Sequence, residues 1–218
     1  MMYKIVISSQ KGGSGKTALC RILSVEAARF EKLVFLIDTD PQLTLTQWHE
    51  VREVDEPRRV DCPIDILEAG LKEIEKSGAD FVFIDTPPSA NEHLDDVFMV
   101  ADLVLVPIKP TPDDLKAAAV TVNRLKALGV PFLFVITQAI QNTNITAQAI
   151  AALSHHGAIA ETIIVNRVSY PAAFTDGRTP QEVEPKGQAA LETAKLWTFI
   201  KTYLEKQSST QIKQEGAA

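Results

Sequence analysis

Apolar residues fall along this chain into short continuous runs, each closed by a charged or turn-forming residue and followed by a stretch whose apolar positions recur every three or four residues. Unbroken runs of this kind suit strands buried on both faces, and their alternation with helical patterns predicts an α/β fold: a mostly parallel, twisted sheet with helices on both faces. Strands are expected at 3–8, 33–38, 81–85, 103–107, 132–137 and 159–165. Helices are expected at 17–30, at 65–77, where Leu67, Leu71 and Ile74 recur at helical spacing, at 145–155 and at 186–206. In the last of these Leu191, Leu196, Phe199, Ile200 and Leu204 form the expected core-facing stripe. Another helix should start at Thr111-Pro112-Asp113-Asp114, with threonine as cap, proline in the first turn and two acids on the positive dipole end, and stop at Gly129.

The stretch 51–63, dense in charge and proline, reads as an excursion over the surface. There is neither an internal repeat nor a linker. The expectation is one domain over 1–206 and a disordered polar tail over 207–218, which lacks an apolar face.

A chain of 218 residues with 45% hydrophobic and 23% charged content suits one sizeable soluble domain, and is short for two. No apolar run reaches membrane-spanning length and no signal peptide precedes the first strand, so the expected compartment is the cytoplasm. The net charge of −6 argues against a protein that coats nucleic acid over its whole surface, though it leaves room for a local basic patch. Cys20 and Cys62 stand in unrelated segments and supply neither a disulfide framework nor a four-cysteine metal site.

The chemistry concentrates directly after the first strand, in Gln10-Lys11-Gly12-Gly13-Ser14-Gly15-Lys16-Thr17. A buried strand feeding a glycine-rich turn that opens a helix is a phosphate cradle. Glycines let successive backbone N–H groups converge on an anion at the helix N-terminus, Lys16 reaches the β- and γ-phosphates, and the Thr17 hydroxyl ligates Mg²⁺. This is the signature of a single-domain P-loop NTPase, with a nucleoside triphosphate and Mg²⁺ as its ligands. Two further strand ends carry acids. Asp85 closes 81–85 in the position of a Walker B aspartate that holds Mg²⁺, and Asp38 and Asp40 close the strand before Pro41-Gln42.

Lys11-Gly12-Gly13-Ser14-Gly15-Lys16-Thr17 resembles the deviant Walker A motif of the ParA/MinD superfamily of dimerising ATPases. Asp38-Thr39-Asp40-Pro41-Gln42 is similar to that superfamily's second acidic segment. The resemblance covers about 3–204 and is nearest to small plasmid-type ParA partition ATPases without an N-terminal DNA-reading domain. It implies that Gly12, Gly13, Ser14, Gly15, Lys16, Thr17 and Ala18 bind the nucleotide, that Thr17, Asp38 and Asp85 serve the metal, that Asp40 positions the hydrolytic water, and that Lys11 crosses to the partner subunit's nucleotide.

Two departures stand out: Ala18 where a hydroxyl residue is usual, and Leu43 where larger relatives often carry glycine. The resemblance further implies an ATP-dependent homodimer that binds DNA without sequence preference and associates with the nucleoid. Arg167, Lys186, Lys195 and Lys201 are the candidate DNA contacts. A ParB-like or other centromere or cargo adaptor would stimulate hydrolysis. Membrane attachment is not expected, because residues after Glu205 show no amphipathic stripe. The rival reading is a small-molecule ligase of the dethiobiotin-synthetase-like branch, which would hand the γ-phosphate to a carboxylate rather than to water. Trp48 and Trp197 read as packing residues, and His155-His156 as a helix C-terminus. Thr137 and Asn166 fall where the adenine should sit.

Overall fold

A computed structural model describes residues 2–31, 33–88, 93–141 and 143–215. Strands β1 (Tyr3–Ile7), β2 (Val34–Asp38), β3 (Arg58–Arg59), β4 (Phe81–Asp85), β5 (Leu103–Ile108) and β6 (Phe132–Ile136) form a six-stranded sheet in the order β3-β2-β4-β1-β5-β6. Every pairing in it is parallel. Because successive side chains of a strand point to opposite faces, the apolar runs supply two cores at once. On one face Ile5, Ile7, Leu36, Phe81, Phe83, Leu105 and Leu133 pack beneath α1 (Lys16–Ala28), α2 (Thr44–Glu50) and α9 (Gln188–Glu215). On the other, Val6, Ile37, Val82, Ile84, Val104, Val106 and Phe134 meet α3 (Leu67–Lys76), α4 (Leu94–Met99), α5 (Pro112–Leu128) and α6 (Asn144–Ser154).

The capped helix is built as its sequence expects. The Thr111 hydroxyl accepts from the Asp114 N–H at 3.2 Å, Pro112 occupies the first turn, and Gly129 ends α5 in the left-handed region at φ 68°. Trp48 and Trp197 are buried packing residues. Trp197 meets Phe81 edge-on at 4.9 Å between ring centroids.

The segment 159–165 is not a strand. It runs beside β6 but forms isolated bridges at Phe134↔Ile159 and Ala139↔Val165 and one further bond from the Ile164 N–H to the Ile136 carbonyl, with exposed Glu161 and half-exposed Thr162 and Ile163 interrupting the pairing. Instead the sheet gains its outer strand from within 51–63, where Arg58 and Arg59 pair with Phe35 and Leu36. That stretch is also anchored inward. Arg52, whose side chain is 1% exposed, pairs with Glu182, lies 4.7 Å from the Trp48 ring centroid and donates to the carbonyls of Gly177 and Glu56. A two-residue strand has no periodicity to read, which is why it was invisible in the sequence.

The short helices α2, α7 (Ser169–Phe174) and α8 (Pro180–Val183) carry too few turns for a helical period to show in the sequence. On α9, Leu196, Ile200 and Leu204 are buried, whereas Leu191 is 44% exposed and leaves the expected stripe. The backbone of α9 stays helical to Glu215, so residues 207–215 are helix rather than the coil expected of a polar tail. No helix among the described residues is long and apolar enough to cross a membrane.

Candidate functional site

The carboxyl ends of β1, β2, β4 and β5 lie side by side, the usual ligand position in open parallel sheets. After β1 the chain turns through Gly13 at φ 72° and Gly15 at φ 96°, and α1 begins at Lys16 with Gly15 as its N-cap. A side chain at either glycine would strain the left-handed backbone, so glycine is required there. The loop is braced from β6: the Thr137 hydroxyl donates to the Ser14 carbonyl at 2.7 Å, and the Gln138 amide donates to the Gly13 carbonyl at 2.9 Å. Thr137 therefore stiffens the cradle, a role its sequence position did not reveal.

The acids converge as the strand register demands, with Asp38 directly opposite Asp85 on neighbouring strands. Asp85 is 1% exposed and accepts from the Thr17 hydroxyl through Oδ2 at 2.6 Å. Burial pushes its pKa up to about 7, against the opposing hydrogen bond from Thr17, with Asp38 adding to the rise. Its Oδ1 is buried with no hydrogen-bond partner among the described residues. An orphaned carboxylate oxygen beside a threonine hydroxyl is a place a divalent cation fits. Asp38 differs, because its oxygens accept the N–H groups of Asp40 at 3.1 Å and Thr46 at 2.9 Å. It shapes the loop that carries Asp40 and ties it to α2. Asp40 is half-exposed and accepts from the Gln42 N–H at 3.0 Å. Leu43 begins α2 at φ 52°, in the left-handed conformation a glycine would adopt freely.

Lys16 is buried, which lowers its pKa, while Asp85 and Asp40 pull it back up. Lys11 stands at the rim, 38% exposed, and its ammonium meets Asp114 Oδ2 at 2.7 Å. The sequence marked Asp114 only as a helix-dipole acid; its burial at 4% exposure and its grip on Lys11 come from α5 beginning beside the loop.

Next to the cradle lies a cavity of about 290 Å³, lined in part by Gly15, Ala18, Gln138, Asn166, Tyr170 and Phe174. It is mostly apolar with a few amides, as a purine pocket should be, and its size suits a nucleobase. The methyl of Ala18 forms part of its wall.

The candidate DNA contacts are scattered. Arg167, which lines this cavity, pairs with Glu192, and Lys201 pairs with Glu31 beyond α1, so each faces an acid of its own chain. Lys186 and Lys195 are exposed. On α9, Lys195 and Lys201 project about 120° apart, since six residues make well over one and a half turns, so they do not share one stripe.

The fold and the cradle define a P-loop nucleotide-binding protein. Residues 5–180 match the model of the CobQ/CobB/MinD/ParA nucleotide binding domain, and the chain belongs to that family. Protein ParA of Rhizobium radiobacter is 28% identical over 214 residues, spanning 91% of this chain and 95% of that protein. The maintenance of carboxysome distribution protein A of Halothiobacillus neapolitanus is 27% identical over 57% of this chain and 59% of its own length. Among solved structures, the MinC:MinD cell division protein complex of Aquifex aeolicus superposes with a TM-score of 0.77 at 19% identity, covering 92% of this chain and 96% of that one. A plasmid partition protein from Borrelia burgdorferi bound to AMPPNP does so at 0.71 and 17%, covering 92% and 98%. At these identities the structures establish the fold, which is that of the ParA/MinD-type P-loop ATPases.

Asp85 supplies a prediction with a definite sign. Its folded pKa of about 7 exceeds the ordinary 3.8, so between those values the folded chain holds a proton that the unfolded chain has released. The stability this group contributes is complete below about pH 4 and is lost as pH rises through about 7. Asp85→Asn should therefore raise the melting temperature of the nucleotide-free protein at pH 8 and leave it nearly unchanged at pH 4. Thermal melts at the two pH values check both effects.

Proposed function

We propose that this protein is an ATP-driven partition or positioning ATPase. It closes as a homodimer around two ATP molecules, holds nonspecific DNA in that state, and is released when a ParB-like or other cargo adaptor stimulates hydrolysis. The observation that carries the reading is Lys11. The cradle already has its own lysine in Lys16, and Lys11 stands at the exposed rim, held by Asp114, available to reach a second subunit's phosphates. The names of the relatives, a ParA and a carboxysome distribution protein, support partition or positioning as the task. Such a task belongs in the cytoplasm on the nucleoid.

Gly12 to Ala18 would hold the phosphates, with Thr17 and Asp85 holding Mg²⁺ and Asp38 shaping the loop beside them. When bound, Mg²⁺ neutralises charge on the phosphates as the terminal bond breaks. Asp40, on the loop fixed by Asp38, orients the attacking water. Lys11 adds a charged hydrogen bond of about 1.5–3 kcal/mol that exists only while the γ-phosphate does. Losing it on hydrolysis weakens a two-fold symmetric interface, in which each subunit gives what it receives.

The test is retention of DNA. The protein with ATP and Mg²⁺ should bind duplexes of unrelated sequence, and affinity should fall with salt at a log–log slope of about −0.9 per phosphate neutralised. Binding that is equal without nucleotide, or flat with salt, removes DNA from the proposal. ATP turnover that instead requires a small carboxylate, and ignores DNA, would favour the ligase reading. With Arg167 and Lys201 already paired, Lys186 and Lys195 are the contacts to substitute first.

A further inference from the structure

Three lysines surround the phosphate cradle, and only two have a carboxylate facing them. Lys16 is faced by Asp85 and Asp40, and Lys11 is paired with Asp114. The third, Lys109, is half-buried, and no acid among the described residues forms an ion pair with it. It lies one residue beyond β5, the neighbour of β1, so the loop it begins runs beside the glycine-rich loop. A Cβ placed on Gly13 would lie 3.7 Å from Lys109 Nζ. This ammonium therefore lies within ordinary contact range of the loop at Gly13.

Its position is held from both sides. The Thr137 N–H donates to the Ile108 carbonyl at 2.9 Å just before it, and the Thr111 N–H donates back to the Lys109 carbonyl at 2.7 Å just after it. The second bond closes a three-residue turn around Pro110, whose ring fixes its own backbone angle. The backbone that carries this lysine is thus fixed beside the glycine-rich loop. With Lys11 and Lys16 already facing carboxylates, Lys109 is the cation at this loop that an incoming polyanion can meet without displacing an acid.

The polarity of the site says which part of the anion meets Lys109. The base cavity is lined by Gly15 and Ala18 and not by Gly12 or Gly13, so the phosphate chain leaves it toward the entrance of the loop. The terminal phosphate therefore falls on the Gly13 side. We propose that Lys109 is a further phosphate-binding residue, which contacts the γ-phosphate of ATP within its own subunit and makes the site distinguish ATP from ADP. The assignment rests on reading the cradle as an ATP site. It is distinct from the role of Lys11, which acts across the dimer.

Equilibrium titration with AMPPNP and with ADP, each with Mg²⁺, tests it on wild-type protein, Lys109→Ala and Lys109→Arg. Lys109→Ala should bind AMPPNP about tenfold more weakly, the loss of one charge-assisted hydrogen bond. ADP affinity should change by less than about twofold, and Lys109→Arg should recover most of the AMPPNP affinity. Repeating the titration with Lys11→Ala present separates contact within one subunit from weaker closure of a dimer, and the tenfold effect should persist. Unchanged AMPPNP affinity, an equal loss for both nucleotides, or disappearance of the effect in the Lys11→Ala background overturns the assignment. Wild-type protein that binds neither nucleotide overturns the ATP reading itself, and the role of Lys109 with it.

Discussion

Replacing Lys16 by alanine should abolish useful nucleotide binding, weakening ATP affinity by about 10²- to 10⁴-fold. The estimate follows from two charged hydrogen bonds to the β- and γ-phosphates at about 1.5–3 kcal/mol each, with about 1.4 kcal/mol per factor of ten. The geometry makes this substitution more damaging than the removal of an exposed lysine. Lys16 is 7% exposed and is the cation that Asp85 and Asp40 face, so alanine leaves two acids unopposed where a polyanion must enter. Fluorescence titration with a labelled ATP analogue checks the result. Because the glycine turn and its bonds from Thr137 and Gln138 remain, the protein should stay folded, and its far-UV circular dichroism should be unchanged.

The second large effect concerns hydrolysis alone. Asp40→Ala should retain nucleotide affinity and lower ATP turnover by about 10²-fold or more, the range for a group that positions or deprotonates a nucleophile. Asp40 is half-exposed at the tip of a loop whose shape is set by Asp38, whose oxygens take the Asp40 and Thr46 N–H groups. Removing its carboxylate leaves that frame in place. Asp38→Ala, in contrast, should disorder the loop and the start of α2 together. An Asp40→Ala protein that hydrolyses ATP at the wild-type rate would take this residue out of the mechanism.

How much of this was legible in the sequence depended on the length of the signal. Five runs of apolar residues became strands with bounds shifted by a residue or so, since a strand buried on both faces has no polar positions to obscure it. The acids Asp38 and Asp85 were placed correctly because they close such runs, and parallel register then sets them side by side. The run 159–165 misled because apolar content alone does not secure a ladder when Glu161 stands exposed within it. The two-residue β3 and the short helix α8 carried too few residues for any period to show.

In the site, what failed to show was long-range. Nothing local to Asp114 announces that it holds Lys11, 103 residues away, or that Thr137 bonds to Ser14 across 123. Such contacts follow from β5 and β6 lying on the far side of β1, an arrangement fixed by topology rather than by neighbouring residues. The surroundings of the basic residues in the carboxyl-terminal third were hidden for a related reason. A cation in a sequence is free, whereas Arg167 and Lys201 each find an acid in the fold.

In the proposed cycle two copies close around ATP and exchange Lys11. Sedimentation velocity on the Asp40→Ala protein, with saturating ATP and Mg²⁺ so that turnover does not dissipate the complex, tests it most directly. A dimer should form that is absent with ADP and absent again when Lys11→Ala is added. A monomer throughout, or a dimer indifferent to the loss of Lys11, would rule out that exchange.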